Sequence, residues 1–129
     1  MRCGEALFAA IGCVRCHAPD AETGDAHPFS ELRRQNIHPY TDLLLHDTGS
    51  DLADGSGTAQ ASEWRTPPLW GVGLLETVSG QTRLLHDGRA RSPLEAVLWH
   101  GGDAAFARSA VIGLERADRD ALLSFLGSL

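Results

Sequence analysis

Residues 4–17 read Gly4-Glu5-Ala6-Leu7-Phe8-Ala9-Ala10-Ile11-Gly12-Cys13-Val14-Arg15-Cys16-His17. Ala6, Leu7, Ala10, Ile11 and Val14 recur at helical spacing, which predicts a helix over 4–15 with one apolar face. The stretch closes on C-x-x-C-H. Two thiols at this spacing can add to the two vinyl groups of one porphyrin, and the adjacent histidine can ligate its iron. The motif thus implies one covalent c-type haem, with Cys13 and Cys16 as attachment points and His17 on the metal. His17 is expected to project from the last turn of the helix, which Ala18-Pro19 would stop.

Other uses of C-x-x-C are weaker. A redox-active dithiol needs a βαβ setting, and the chain offers none. A zinc site needs a second C-x-x-C or an H-x3-H downstream, and neither occurs. Cys3 is a third cysteine and reads as a small apolar residue early in the first helix.

The rest of the composition sets bounds. With 129 residues and 43 % apolar content, a single domain with one core is expected over 1–129. The net charge of −6 argues against nucleic acid or an anionic membrane as partner. All eleven cations are arginines. No stretch is long enough to span a membrane, and the first residues do not read as a signal peptide. Thioether attachment normally takes place outside the bacterial cytoplasm. The expectation is therefore a periplasmic or otherwise extracytoplasmic protein, met here as a processed chain or as part of a longer one.

Outward from the motif, residues 19–63 are turn-rich and predict a long loop, of the kind that folds against a cofactor. Thr66-Pro67-Pro68-Leu69-Trp70 must be extended. Ser92-Pro93-Leu94-Glu95 is a helix start, with the helix running to about His100 and stopping at Gly101-Gly102. Residues 103–111 and 118–128 predict two more helices, the last with Leu122, Leu123, Phe125, Leu126 and Leu129 on its apolar face. No strand alternation stands out, so the class is mostly α.

The other side of the iron is open at this level. Met1 is the only methionine and precedes the first helix, which leaves His27, His38, His46, His86, His100, Tyr40 or an open position with water. His100 ends a short helix before two glycines. His46 and His86 both stand in L-L-H-D, where a neighbouring carboxylate can fix a tautomer. Arg65 has the chemistry to pair with a haem propionate. Trp64, Trp70 and Trp99 read as core or haem-packing residues.

Six stretches together resemble the C-terminal haem domain of the bacterial di-haem oxidoreductases, sometimes labelled thiol oxidoreductases, which are related to the di-haem cytochrome c peroxidases. They are Ile11–His17, Pro39–Asp47, Glu63–Gly71, Leu85–Ala90, Trp99–Gly102 and Leu122–Leu126. The resemblance implies a cytochrome c-like haem domain with long irregular loops. It implies Arg65, with Pro68-Leu69, near a propionate. It also implies His100 as second axial ligand, at the step from His86 where the peroxidases carry methionine. Thr48 stands where relatives often have methionine. Full-length relatives carry a second C-x-x-C-H in an N-terminal domain, so an N-terminal haem domain or another redox protein is the expected partner.

Three functions follow for test: an electron-transfer haem domain, a peroxidase or oxidase with a labile sixth iron site, and a zinc-binding interaction module. Several candidate histidines and one haem motif favour the first.

Overall fold

The helix predicted over 4–15 is shorter than its apolar pattern. In the computed structural model, which describes residues 3–58 and 60–129, α1 spans Gly4–Ala10, and a separate 3-10 turn holds Cys13–Arg15. Gly12 between them has φ +90°, in the left-handed region that glycine enters without steric cost. The chain turns there, so His17 follows a tight turn instead of projecting from a continuous helix. The amides of Cys16 and His17 both donate to the Cys13 carbonyl, at 3.4 and 2.9 Å. Met1 lies outside the described residues.

The core forms where α1 meets α5, Arg116–Leu126, and α4, Ala105–Ile112. Phe8, Ile11, Val111, Leu122 and Leu126 make one buried cluster. Burial of each side chain of this size contributes about 1.5–3 kcal/mol. Phe8, Tyr40 and Phe125 pack edge to face at 5.5–5.9 Å between ring centres. The two helices cross closely because residue 4 is glycine: a Cβ there would overlap the Ala121 carbonyl. The last helix begins two residues before the predicted Asp118 and ends at Leu126.

The predicted helix start at Ser92 is present. The short helix Pro93–Trp99, α3, has Pro93 in its first turn, and the Ser92 hydroxyl accepts from the Glu95 amide at 3.1 Å. The Glu95 carboxylate accepts from the Arg91 amide at 3.0 Å. A further short helix, α2, spans Leu75–Ser79 and has no clear sequence signal.

Strand enters where none was expected. Inside the long 19–63 loop, β1 (Ala21–Glu22) pairs antiparallel with β2 (Asn36–Ile37). A second ribbon joins β3 (Leu45–Asp47) to β4 (Glu63–Arg65), with His46 opposite Trp64. Strands of two or three residues are too short to register as alternation. Helix remains the larger part of this small mixed fold. Thr66–Leu69 form neither helix nor strand. Among the described residues no helix is long and apolar enough to cross a membrane.

Candidate functional site

The Cys-His segment is held by the loop at residues 39–44. His17 Nδ1 lies 3.1 Å from the Tyr40 carbonyl oxygen, so this nitrogen carries the proton and donates. The Asp42 amide donates to the Cys16 carbonyl at 2.8 Å. The same loop is fixed to the Thr-Pro-Pro segment: Leu69 N–H donates to Pro39, Thr66 N–H to Leu44, and the buried Thr41 hydroxyl to Thr66 at 2.7 Å. Tyr40 and Leu43 have φ of +53° and +58°. Such backbone costs of order 1–3 kcal/mol per residue and persists only where surrounding bonds over-determine it. Here those bonds point the Tyr40 carbonyl at His17.

That bond decides the chemistry of His17. With the proton on Nδ1, Nε2 is the free lone pair, the arrangement common to metal-binding histidines. Burial pushes the imidazole down to about 4, against the Tyr40 carbonyl, with His100 and His46 adding to the fall. The ring is neutral and ready to donate to a metal at ordinary pH. His100 repeats the pattern from the end of α3. Its Nδ1 donates to the Ala96 carbonyl at 2.7 Å, and burial lowers its pKa. The turn that follows is seated on β3: a Cβ at Gly102 would overlap the Asp47 carbonyl, so Gly101-Gly102 let the chain leave α3 there.

Cys13, Cys16, His17 and His100 all line one large cavity of about 460 Å³, as do Arg65 and Trp70. A volume of this size is usual for a cofactor site. The structure thus places Cys13, Cys16, His17, Arg65, Trp70 and His100 around one cavity. Burial raises the Cys13 thiol to about 11, and burial with the Asp42 and Asp103 charges raises Cys16. Neutral thiols are poorly suited to dithiol exchange, which runs through a depressed pKa.

Of the remaining candidates, His46 and His86 also line the cavity. The carboxylate next to His46 in sequence is not its partner. His46 Nε2 bonds Asp42 at 2.7 Å, and its Nδ1 lies 4.0 Å from Asp103. Burial raises the Asp42 carboxyl, but the Leu44 amide and His46 together hold it below the usual range. His86 stacks on Trp64 at 3.5 Å, nearly parallel. His27 and His38 lie elsewhere, His38 on Asp20 at 2.6 Å, and the Tyr40 ring belongs to the aromatic core. Among the described residues, Cys16, Asp42 and His46 lie close enough to hold a metal ion, a set that leaves out Cys13 and His17 of the C-x-x-C-H run.

Arg65 stands at the end of β4 and donates from Nη1 to the Leu43 carbonyl. Trp70 lies on the rim, 53 % exposed. Sequence reasoning missed Arg108, whose Nε is buried in the cavity wall with no hydrogen-bond partner. A signal was present: Arg108 is the one charge in the apolar run Ala104–Ile112.

The donor set suits haem. Two thiols, two buried imidazoles with free Nε2 atoms, a mostly apolar wall and an orphaned guanidinium N–H meet the needs of an apolar ring with acidic edges. Comparison with known families agrees with this chemistry. The family model described as "Di-haem oxidoreductase, putative peroxidase" matches residues 1–129, the whole chain. The chain belongs to the di-haem oxidoreductase family, whose members are named for haem and for redox chemistry. No curated protein and no solved structure matches it.

Proposed function

We propose that the chain is a c-type haem electron-transfer domain with a cytochrome c-like fold, corresponding to the C-terminal haem half of a di-haem protein. The observation that carries this is the convergence of Cys13, Cys16, His17 and His100 on one cavity. Bound there, the haem supplies a one-electron couple at iron. Cys13 and Cys16 hold the ring edge by thioether bonds. His17 and His100 present Nε2 to the metal, each fixed through Nδ1 to a backbone carbonyl. Arg65 is the candidate for a propionate, and Trp70 packs on the ring at the rim. The partner is an N-terminal haem domain or a separate redox protein, and the setting is extracytoplasmic.

Mass spectrometry of the chain matured by a haem-attachment system tests this. One haem mass per chain, retained under denaturing conditions and lost in Cys13→Ala/Cys16→Ala, is expected. Its absence from the wild type ends the reading. The visible spectrum then tests the second ligand. Low-spin iron that becomes high-spin in His100→Gly is expected, and an unchanged spectrum moves the role to His46 or His86.

A second reading, peroxide reduction at a labile sixth position, is favoured by His46 with Asp42 and Asp103 on the cavity wall, since such groups can move protons. Steady-state turnover of about 1 per second or more with a reduced donor selects it over electron transfer.

A further inference from the structure

We propose that Arg108 is a carboxylate-binding residue of the cavity, its Nε–H donating to an acidic group of the ligand. This rests on the haem reading, because that ligand joins an apolar ring to two propionates. The charge distribution is the first argument. In a chain of net charge −6, four of eleven arginines, Arg15, Arg65, Arg83 and Arg108, line this one cavity. An apolar cavity that gathers cations is suited to an apolar ligand with anionic edges.

Burial without a hydrogen-bond partner singles out Arg108 among the four, since Arg15 also lacks a side-chain bond but is exposed. Arg65 donates to the Leu43 carbonyl and Arg83 to the Gln81 side chain at 3.3 Å. Arg108 Nε is fully buried and has no acceptor, alone among side-chain nitrogens and oxygens of the described residues. The arginines in ion pairs are Arg34, Arg89, Arg91 and Arg116. A buried donor without an acceptor is costly and rare, so a missing acceptor is the economical account. A carboxylate is the acceptor whose geometry and charge match a guanidinium. Helix α4 fixes the position, since Phe106 and Ala107 line the same cavity.

Titration of the full apo chain with iron protoporphyrin IX and with its dimethyl ester, followed by Soret absorbance, reads this contact without any turnover. The diacid is expected to bind the wild type tighter than the ester by about tenfold or more. In Arg108→Met this gap should shrink to about twofold, with ester affinity nearly unchanged. Arg108→Lys keeps charge and bulk if the methionine variant fails to fold. Its gap should still fall, by about threefold or more, because an ammonium lacks the Nε donor. Arg116→Met, the control, should keep the wild-type gap, because Arg116 lies outside the cavity lining and pairs with Asp120 at the surface. A gap unchanged in both Arg108 variants, or closed equally by Arg116→Met, overturns the role of Arg108 and leaves the haem reading standing. No binding of either compound to the wild type overturns both.

Discussion

The two walls of the cavity are built differently. On one side, α1 and α5 close on each other, with Leu7 and Leu122 at 0 % and 1 % exposure. On the other, Trp70 stands 53 % exposed at the cavity rim, and Leu74 and Val78, outside the lining, are exposed beside it along a turn and the short α2. Both stretches are apolar in sequence, but the second is held through its backbone, Gly71 N–H donating to the Leu129 carbonyl, and keeps Trp70, Leu74 and Val78 largely exposed. The Cys13–His17 segment is thus anchored beside the more deeply buried part of the fold. The opposite rim leaves apolar side chains in solvent.

The comparison can be broken most forcefully at Leu122. Leu122→Ala should cost about 3 kcal/mol or more, because the side chain is buried between helices that cannot readily collapse. Denaturant unfolding measures this, and a loss below about 1 kcal/mol means that the α1–α5 core is not the stable half. Acid is the next lever. The folded pKa of His17 lies at about 4, below its ordinary 6.5, so the unfolded chain binds the proton first. Stability of the apo chain should be complete above pH 6.5 and fall by about 3 kcal/mol as pH drops toward 4. The lowered pKa of His100 acts in the same direction. In His17→Phe this fall should be smaller; an unchanged pH profile there assigns the loss to other groups.

A smaller effect is expected at Thr41, whose hydroxyl donates to Thr66 and accepts from the Leu43 amide. Thr41→Val should cost about 2 kcal/mol by leaving both backbone groups without this partner. Chemical denaturation that finds no cost removes the clamp from the account of the motif. The least effect belongs to the open rim. Val78→Ser should change apo-chain stability by no more than about 0.5 kcal/mol. A large loss there shows that the rim is packed after all and erases the contrast.

What the sequence disclosed followed from local chemistry. Ser92, Pro93 and Glu95 announce the start of α3 because capping uses neighbours within one turn. The period of Leu122 and Leu126 reveals the buried face of α5 for the same reason. Gly12 was inside the helical pattern of residues 4–15, yet its positive φ ends that pattern early; side-chain spacing carries no record of backbone sign. The partners of His46 were not legible from its sequence neighbours, which need not touch its ring. Asp47 is adjacent, but pairing of β3 with β4 and the fold of loop 39–44 bring Asp42 and Asp103 to its ring. Cys13, Cys16 and His17 were legible as a motif, whereas their common cavity with His100 is a product of long-range packing. Arg108 lay outside every motif, and only the burial of one nitrogen distinguishes it from other arginines.

The close crossing at Gly4 and Ala121 also sets an order of events. The first helix of the chain rests on the last one. During synthesis, α1 has no surface to dock against until residues 116–126 have emerged. Contacts between distant parts of a chain form late. Until then the segment with Cys13 and Cys16 remains a loose tether whose thiols are reachable from every side. Docking of α5 on α1 is what closes the core beside them. A reagent directed at these thiols therefore has its widest access before α1 docks on α5.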